Sequence, residues 1–136
     1  MEQNGNLVTA ALVVAGGLGE RLGGPQPKQY QSLAGIPLLR HALLAFYHHP
    51  HVKHVATVIR DEDRAHYEIA ANGLNLLPPI IGGASRQESV RNGLRDLQFR
   101  KPDWVLIHDG ARPFISRLVI DNVLNGLLDH AGAIAA

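Results

Sequence analysis

Apolar residues in this chain fall into short runs that alternate with stretches of helical spacing. Leu7 to Val14 reads as a strand buried on both faces. A glycine loop then carries the chain to about Tyr30. Pro37 suits the first turn of a helix, and Leu38, Leu39, Ala42, Leu43 and Phe46 recur at helical spacing until Pro50 stops it. Val52 to Ile59, rich in β-branched residues, reads as a second strand. Asp61 suits the cap of a helix over Arg64 to Ala71, which Asn72-Gly73 ends. Leu74 to Ile81 predicts a third strand, made irregular or an edge by Pro78-Pro79. Past Gly82-Gly83, Ser85 and Glu88 have the spacing of a capping box, with Val90, Leu94 and Leu97 following at helical spacing. Trp104 to Ile107 predicts a fourth strand. Ser116 suits the cap of a helix over Leu118 to Leu128, and Ala131 to Ala136 begins a fifth strand.

This alternation predicts an α/β fold: a Rossmann-like, mostly parallel sheet with helices on both faces. A length of 136 residues fits one domain, residues 1–136. Ligands of such sheets bind at the carboxyl ends of the strands. The glycine loop, Gly82-Gly83 and His108-Asp109 should therefore emerge on one edge.

Composition narrows the classes. Hydrophobic residues at 46% and charged residues at 18% fit a soluble globular chain. A formal charge of +1 argues neither for nor against a nucleic-acid partner, but no basic run suggests a nucleic-acid surface, so none is expected and any anion recognition must be local. The absence of cysteine excludes disulfides and thiolate metal sites. No stretch reads as a signal peptide or a membrane span, so the expectation is a cytoplasmic protein with no membrane partner.

Three segments carry candidate chemistry. Ala15-Gly16-Gly17-Leu18-Gly19-Glu20-Arg21-Leu22-Gly23, with Lys28 behind it, places glycine amides and two cations after a strand. Such amides can approach phosphate oxygens and form a concave anion site, and Arg and Lys supply charge for a triphosphate. The spacing matches neither the dinucleotide fingerprint nor the Walker A loop. The bland alternative is turn chemistry alone. The second segment, Gly82 to Val90, presents free amides where a helix begins, with the Ser89 hydroxyl nearby, and suits a base edge or merely a capped helix. The third is His108-Asp109-Gly110-Ala111-Arg112-Pro113. An aspartate ending a buried strand suggests a Mg²⁺ ligand or a partner for a substrate hydroxyl, against a turn cap or an ion pair with Arg112. His48, His49, His51 and His54 cluster around Pro50. They read as a solvated loop rather than a metal site, because the local sequence offers no acidic partner.

In this order the three segments, with Pro27-Lys28-Gln29-Tyr30 and Gly93-Leu94, resemble the 2-C-methyl-D-erythritol 4-phosphate cytidylyltransferase family over essentially the whole chain. The resemblance implies a nucleotidyltransferase-type fold and transfer of the cytidylyl group of CTP to 2-C-methyl-D-erythritol 4-phosphate, with Mg²⁺ and release of pyrophosphate. It implies Arg21 and Lys28 as catalytic residues. Ala15, Gly16, Gly17, Gly19, Gly83 and Ser89 would bind nucleotide, and Asp109 and Arg112 would arrange metal, ribose or acceptor, with Asp109 as the metal ligand. The alternatives are another acceptor (ribitol phosphate, a sugar phosphate or a pterin cofactor) and a noncatalytic nucleotide-binding fragment. The chain departs from the family at Gly16, Ala84 and Gly110, where alanine, an acidic residue and alanine are frequent. Members of the family are longer and form homodimers through a projecting arm. The resemblance therefore implies a chain truncated at its C-terminus, the nucleotide-binding portion of one domain, lacking most of the second-substrate site.

Overall fold

A computed structural model of the chain describes residues 7–16, 27–112 and 115–129. Its centre is a parallel sheet of four strands: β1 (Thr9–Ala15), β4 (His54–Ile59), β5 (Ile80–Ile81) and β6 (Trp104–Asp109). The order is β5-β4-β1-β6. The chain thus steps outward from β1 to β4 and β5, then crosses back to lay β6 on the other side of β1. That reversal puts a topological switch point at the carboxyl ends of β1 and β6, where open α/β sheets bind ligands. The sheet is parallel and β1 is its best-protected strand, buried along its whole length.

Helices cover both faces. Helix α1 (Leu38–Tyr47) buries Leu39, Ala42, Leu43 and Phe46, and α2 (Arg64–Ala70) buries Tyr67 and Ala70. With α4 (Arg117–Asp129), which adds Ile120 and Leu124, they pack on the face carrying Ala11, Val13, Ala15 and Leu106. Helix α3 (Arg86–Leu97) covers the other face, where Leu97 meets Ala10, Leu12, Ala56 and Val58. Alternation along β1 assigns successive side chains to opposite layers.

Several expectations change in detail. The third strand shrinks from Leu74–Ile81 to Ile80–Ile81, and of the residues before it Leu77 donates its N–H to the Val55 carbonyl at 3.0 Å. Proline has no N–H for a ladder, so Pro78-Pro79 breaks regular pairing. Asp61 does not cap the second helix: Asp61–Asp63 forms a 3₁₀ turn ahead of α2, and Asp63 at the cap position gives no side-chain capping bond. The capping box is half formed. The Ser85 hydroxyl accepts from the Glu88 N–H at 3.1 Å, but the Glu88 carboxylate accepts from Ala84 N–H at 2.9 Å rather than from the cap residue. Ser116 does cap α4, accepting from Val119 N–H at 3.2 Å. A small antiparallel hairpin, β2 (Ser32–Leu33) and β3 (Ile36–Pro37), was not foreseen; it turns through Ala34 and Gly35, both at positive φ (56° and 79°). The expected strand over 131–136 lies outside the described residues.

Candidate nucleotide site at the switch point

The end of β1 lies between the other two segments. Across one side, Ala15 pairs in register with Ile59, whose carbonyl accepts the Gly82 N–H at 2.8 Å. Across the other, Val14 pairs with Asp109, and the Val14 carbonyl accepts the Gly110 N–H at 2.9 Å. The structure thus brings Ala15-Gly16, Gly82-Gly83 and Asp109-Gly110 to one edge. Gly17, Gly19 and Arg21 lie outside the described residues.

Ser89 joins the first two segments. It is fully buried, and its hydroxyl accepts from the Gly83 N–H at 3.2 Å. A Cβ at Gly82 would sit 2.5 Å from that oxygen, so only glycine permits the approach. Helix α3 can place Ser89 there because it rests on the sheet at Gly93, where a Cβ would lie 2.6 Å from both terminal carbons of Leu12.

Asp109 is half-buried, and its Oδ1 accepts from the Ala111 N–H at 3.0 Å. The turn-cap geometry is therefore present, and among the described residues Asp109 forms no ion pair with Arg112. The exposed Arg112 is held through its backbone: its N–H donates to the Asp109 carbonyl at 3.1 Å, and its carbonyl accepts from His108 Nε2 at 2.9 Å. That bond puts the proton on Nε2. His108 is buried and meets the edge of Phe46 at 5.5 Å between ring centroids, so it orients the turn.

Lys28 is exposed while Pro27, Gln29 and Tyr30 are buried, so a short 3₁₀ turn projects the lysine from an anchored base. Gln29 Nε2 donates to the Ala15 carbonyl at 2.9 Å, tying this turn to the end of β1. Tyr30 stacks on His66 at 5.3 Å. Burial, then the nearby Asp63 and Tyr67, hold its phenol far above the ordinary range. Sequence reasoning quoted Gln29 and Tyr30 but gave them no structural role; the packing that assigns one is long-range.

The histidine cluster needs correction. His49 is buried, and its Nε2 donates to Asp121 Oδ1 at 2.6 Å while Nδ1 accepts from His51 N–H at 3.1 Å. It fastens the end of α1 to α4 rather than facing solvent. Among the described residues no group of three His, Cys, Asp or Glu side chains is placed to hold a metal. Grooves of about 400 Å³ beside His41, His48 and Arg117 and about 430 Å³ beside Lys53, His54 and Arg100 are lined by none of the candidate site residues.

The chain as a whole has counterparts among known proteins. Residues 9–136 match the family model of IspD, 2-C-methyl-D-erythritol 4-phosphate cytidylyltransferase. The chain belongs to that family. It is 55% identical over 128 residues to the bifunctional enzyme IspD/IspF of Rhodospirillum rubrum, covering 93% of this chain and 33% of that protein. Over 126 residues it is 54% identical to the same bifunctional enzyme of Paramagnetospirillum magneticum, again covering 93% and 33%. The chain thus spans about a third of the length of these curated relatives. Its fold superposes on the 4-diphosphocytidyl-2C-methyl-D-erythritol synthase of Anaerococcus prevotii with a TM-score of 0.76 at 23% identity, over 93% of this chain and 53% of that one. The Francisella tularensis 2-C-methyl-D-erythritol 4-phosphate cytidylyltransferase gives 0.68 at 26% identity, over 91% and 54%. Among the described residues no helix is long and apolar enough to cross a membrane.

Proposed function

We propose that this chain is the nucleotide-binding portion of an enzyme that transfers the cytidylyl group of CTP to 2-C-methyl-D-erythritol 4-phosphate. The observation that carries the reading is the meeting of Ala15-Gly16, the Ser89-tied Gly82-Gly83 turn and Asp109 at one switch point, in a chain of the IspD family. A phosphate oxygen of the acceptor attacks the α-phosphorus of CTP, and the bond to the pyrophosphate leaving group breaks. A phosphate monoester dianion is already a nucleophile, so the protein contributes alignment and neutralisation of developing charge.

In this reading Ala15, Gly16, Gly17 and Gly19 approach the nucleotide, Gly83 and Ser89 present the base-reading turn, and Arg21 and Lys28 oppose the charge of the phosphoryl transition state, Lys28 on the side of the leaving pyrophosphate. Asp109 and Arg112 arrange metal, ribose or acceptor. Mg²⁺ characteristically binds one or two carboxylates together with substrate phosphates. Asp109 at the sheet edge suits that pattern, and the ion would screen the triphosphate. A cytoplasmic location completes the proposal, with the homodimer that the family resemblance implies for the full-length protein.

Calorimetric titration of the 136-residue chain with CTP and Mg²⁺ tests the nucleotide portion: saturable one-site binding is expected, and no binding overturns it. Pyrophosphate release with 2-C-methyl-D-erythritol 4-phosphate against ribitol phosphate, a sugar phosphate or a pterin cofactor tests the acceptor. CTP binding with no release at any protein concentration assigns the chain to a noncatalytic half-site.

A further inference from the structure

The carboxamide of Gln29 is a buried polar group whose position the reaction itself does not explain. It neither reaches solvent nor carries charge, yet it spends a donor on the last carbonyl of β1, at 2.9 Å and fourteen residues away in sequence. Ala15 is where the strand hands over to the glycine loop. Lys28 immediately precedes Gln29, and the turn holding both is closed by Tyr30 N–H to Pro27 at 3.0 Å and Gln31 N–H to Lys28 at 3.1 Å. Buried Pro27 and Tyr30 flank the pair, so Lys28 is the exposed residue of an otherwise embedded turn.

We propose that Gln29 is a positioning residue: its bond to the Ala15 carbonyl locks the register between the end of β1 and the Lys28 turn, holding the lysine ammonium against the terminal phosphates of a bound nucleoside triphosphate. This inference rests on the nucleotide reading above and deepens it. A lysine on a loose turn loses backbone as well as rotamer freedom when it grips a phosphate; anchoring its backbone on both sides removes the backbone part of that cost before the ligand arrives. An aliphatic residue of the same length would fill the space but leave a buried carbonyl without its donor.

Gln29→Met keeps the length and removes the donor, and Gln29→Glu sets a carboxylate against the carbonyl. The affinities of wild type, Gln29→Met, Lys28→Ala and the double variant for CTP and for CMP, both with Mg²⁺, form the test. A positioning role acts through Lys28 and so through the outer phosphates. The CTP-to-CMP affinity ratio should fall roughly fivefold in Gln29→Met with CMP binding retained, and Gln29→Glu should fall at least as far. In the Lys28→Ala background the same change should alter the ratio by less than about twofold. Equal weakening of both nucleotides, or an additive double variant, overturns the proposal. Amide hydrogen exchange at Tyr30 and Gln31 gives a readout that needs no nucleotide: protection should drop in Gln29→Met while the core of β1 stays protected. If the wild-type chain binds neither nucleotide, the nucleotide reading falls. Exchange then decides the anchoring by itself, and unchanged protection overturns it.

Discussion

The two faces of the sheet hold the candidate site in different ways. Beneath α3 the layer is thin and apolar: Ala10, Leu12, Ala56, Val58 and Leu97, with a glycine at the point of closest approach. The opposite layer is broad, drawing on α1, α2 and α4, and it also buries Tyr30, Thr57, Asp63, Tyr67 and His108. The thin layer sets the height of α3 above the sheet and hence where Ser89 meets the Gly82-Gly83 turn. The broad layer sets the Lys28 turn and the His108–Arg112 turn. The Ser89-tied turn and the Lys28 turn are thus held by separate packing layers that meet at the strand ends.

The largest expected effect comes from the broad layer. Phe46 is fully buried and packs its ring on His108. Phe46→Ala should cost about 4 kcal/mol in urea denaturation, as aromatic truncations in cores do. Exchange protection of the Gly83 amide, measured under native conditions, should survive. Loss of both together would mean that the layers are one unit.

Gly93→Val probes the thin layer. Its branched side chain must enter space where even a Cβ lies 2.6 Å from two Leu12 carbons and 3.0 Å from Val58. Overpacking of this kind costs roughly 1–3 kcal/mol. The distinguishing outcome is its location: α3 must lift, so protection at Gly83 should fall while Tyr30 and Gln31 keep theirs. Ser89→Ala is gentler. It leaves the Gly83 N–H without its acceptor, for a loss of about 1 kcal/mol by the same denaturation assay. A stability equal to wild type would show that the Gly83 amide finds another partner.

The difference between layers also explains what could be read in the chain. Strands β1, β4 and β6 were legible because burial on both faces of a parallel sheet leaves apolar runs. Helices α1, α3 and α4 were legible from spacing and, for α3 and α4, from Ser85 and Ser116. The β2–β3 hairpin was not, because two residues a side give no period and Ala34 at φ 56° carries no turn signature. Burial of His49 was invisible for another reason: its carboxylate partner, Asp121, is 72 residues away in sequence. At the site, Gly82 and Asp109 could be placed from strand ends alone. Gln29 could not, since a single glutamine has no periodicity and its acceptor is a backbone carbonyl.

The two layers should respond to opposite ends of the pH scale, the smallest and most diagnostic contrast. On the broad side, Tyr30 and Tyr67 are raised above 10.0, in both cases chiefly by burial. Their contribution to stability is fully present below the unfolded phenol value and is lost as pH rises through the raised folded values. On the other side, alternation along β4 puts His54 on the face of Ala56 and Val58, and its pKa is lowered from 6.5 by burial, then by Lys53 and Arg100. Its contribution is present above 6.5 and is lost as pH falls through the depressed folded value. Tyr30→Phe should therefore flatten the alkaline arm of a stability profile and leave the acid arm alone. Arg100→Ala should move the His54 titration, followed by the ring proton resonance, upward but not fully to the ordinary value, because burial remains. A His54 that titrates normally in the wild type, or does not respond to loss of Arg100, would remove cationic crowding from the account of the thin side and leave its packing as the sole difference between the layers.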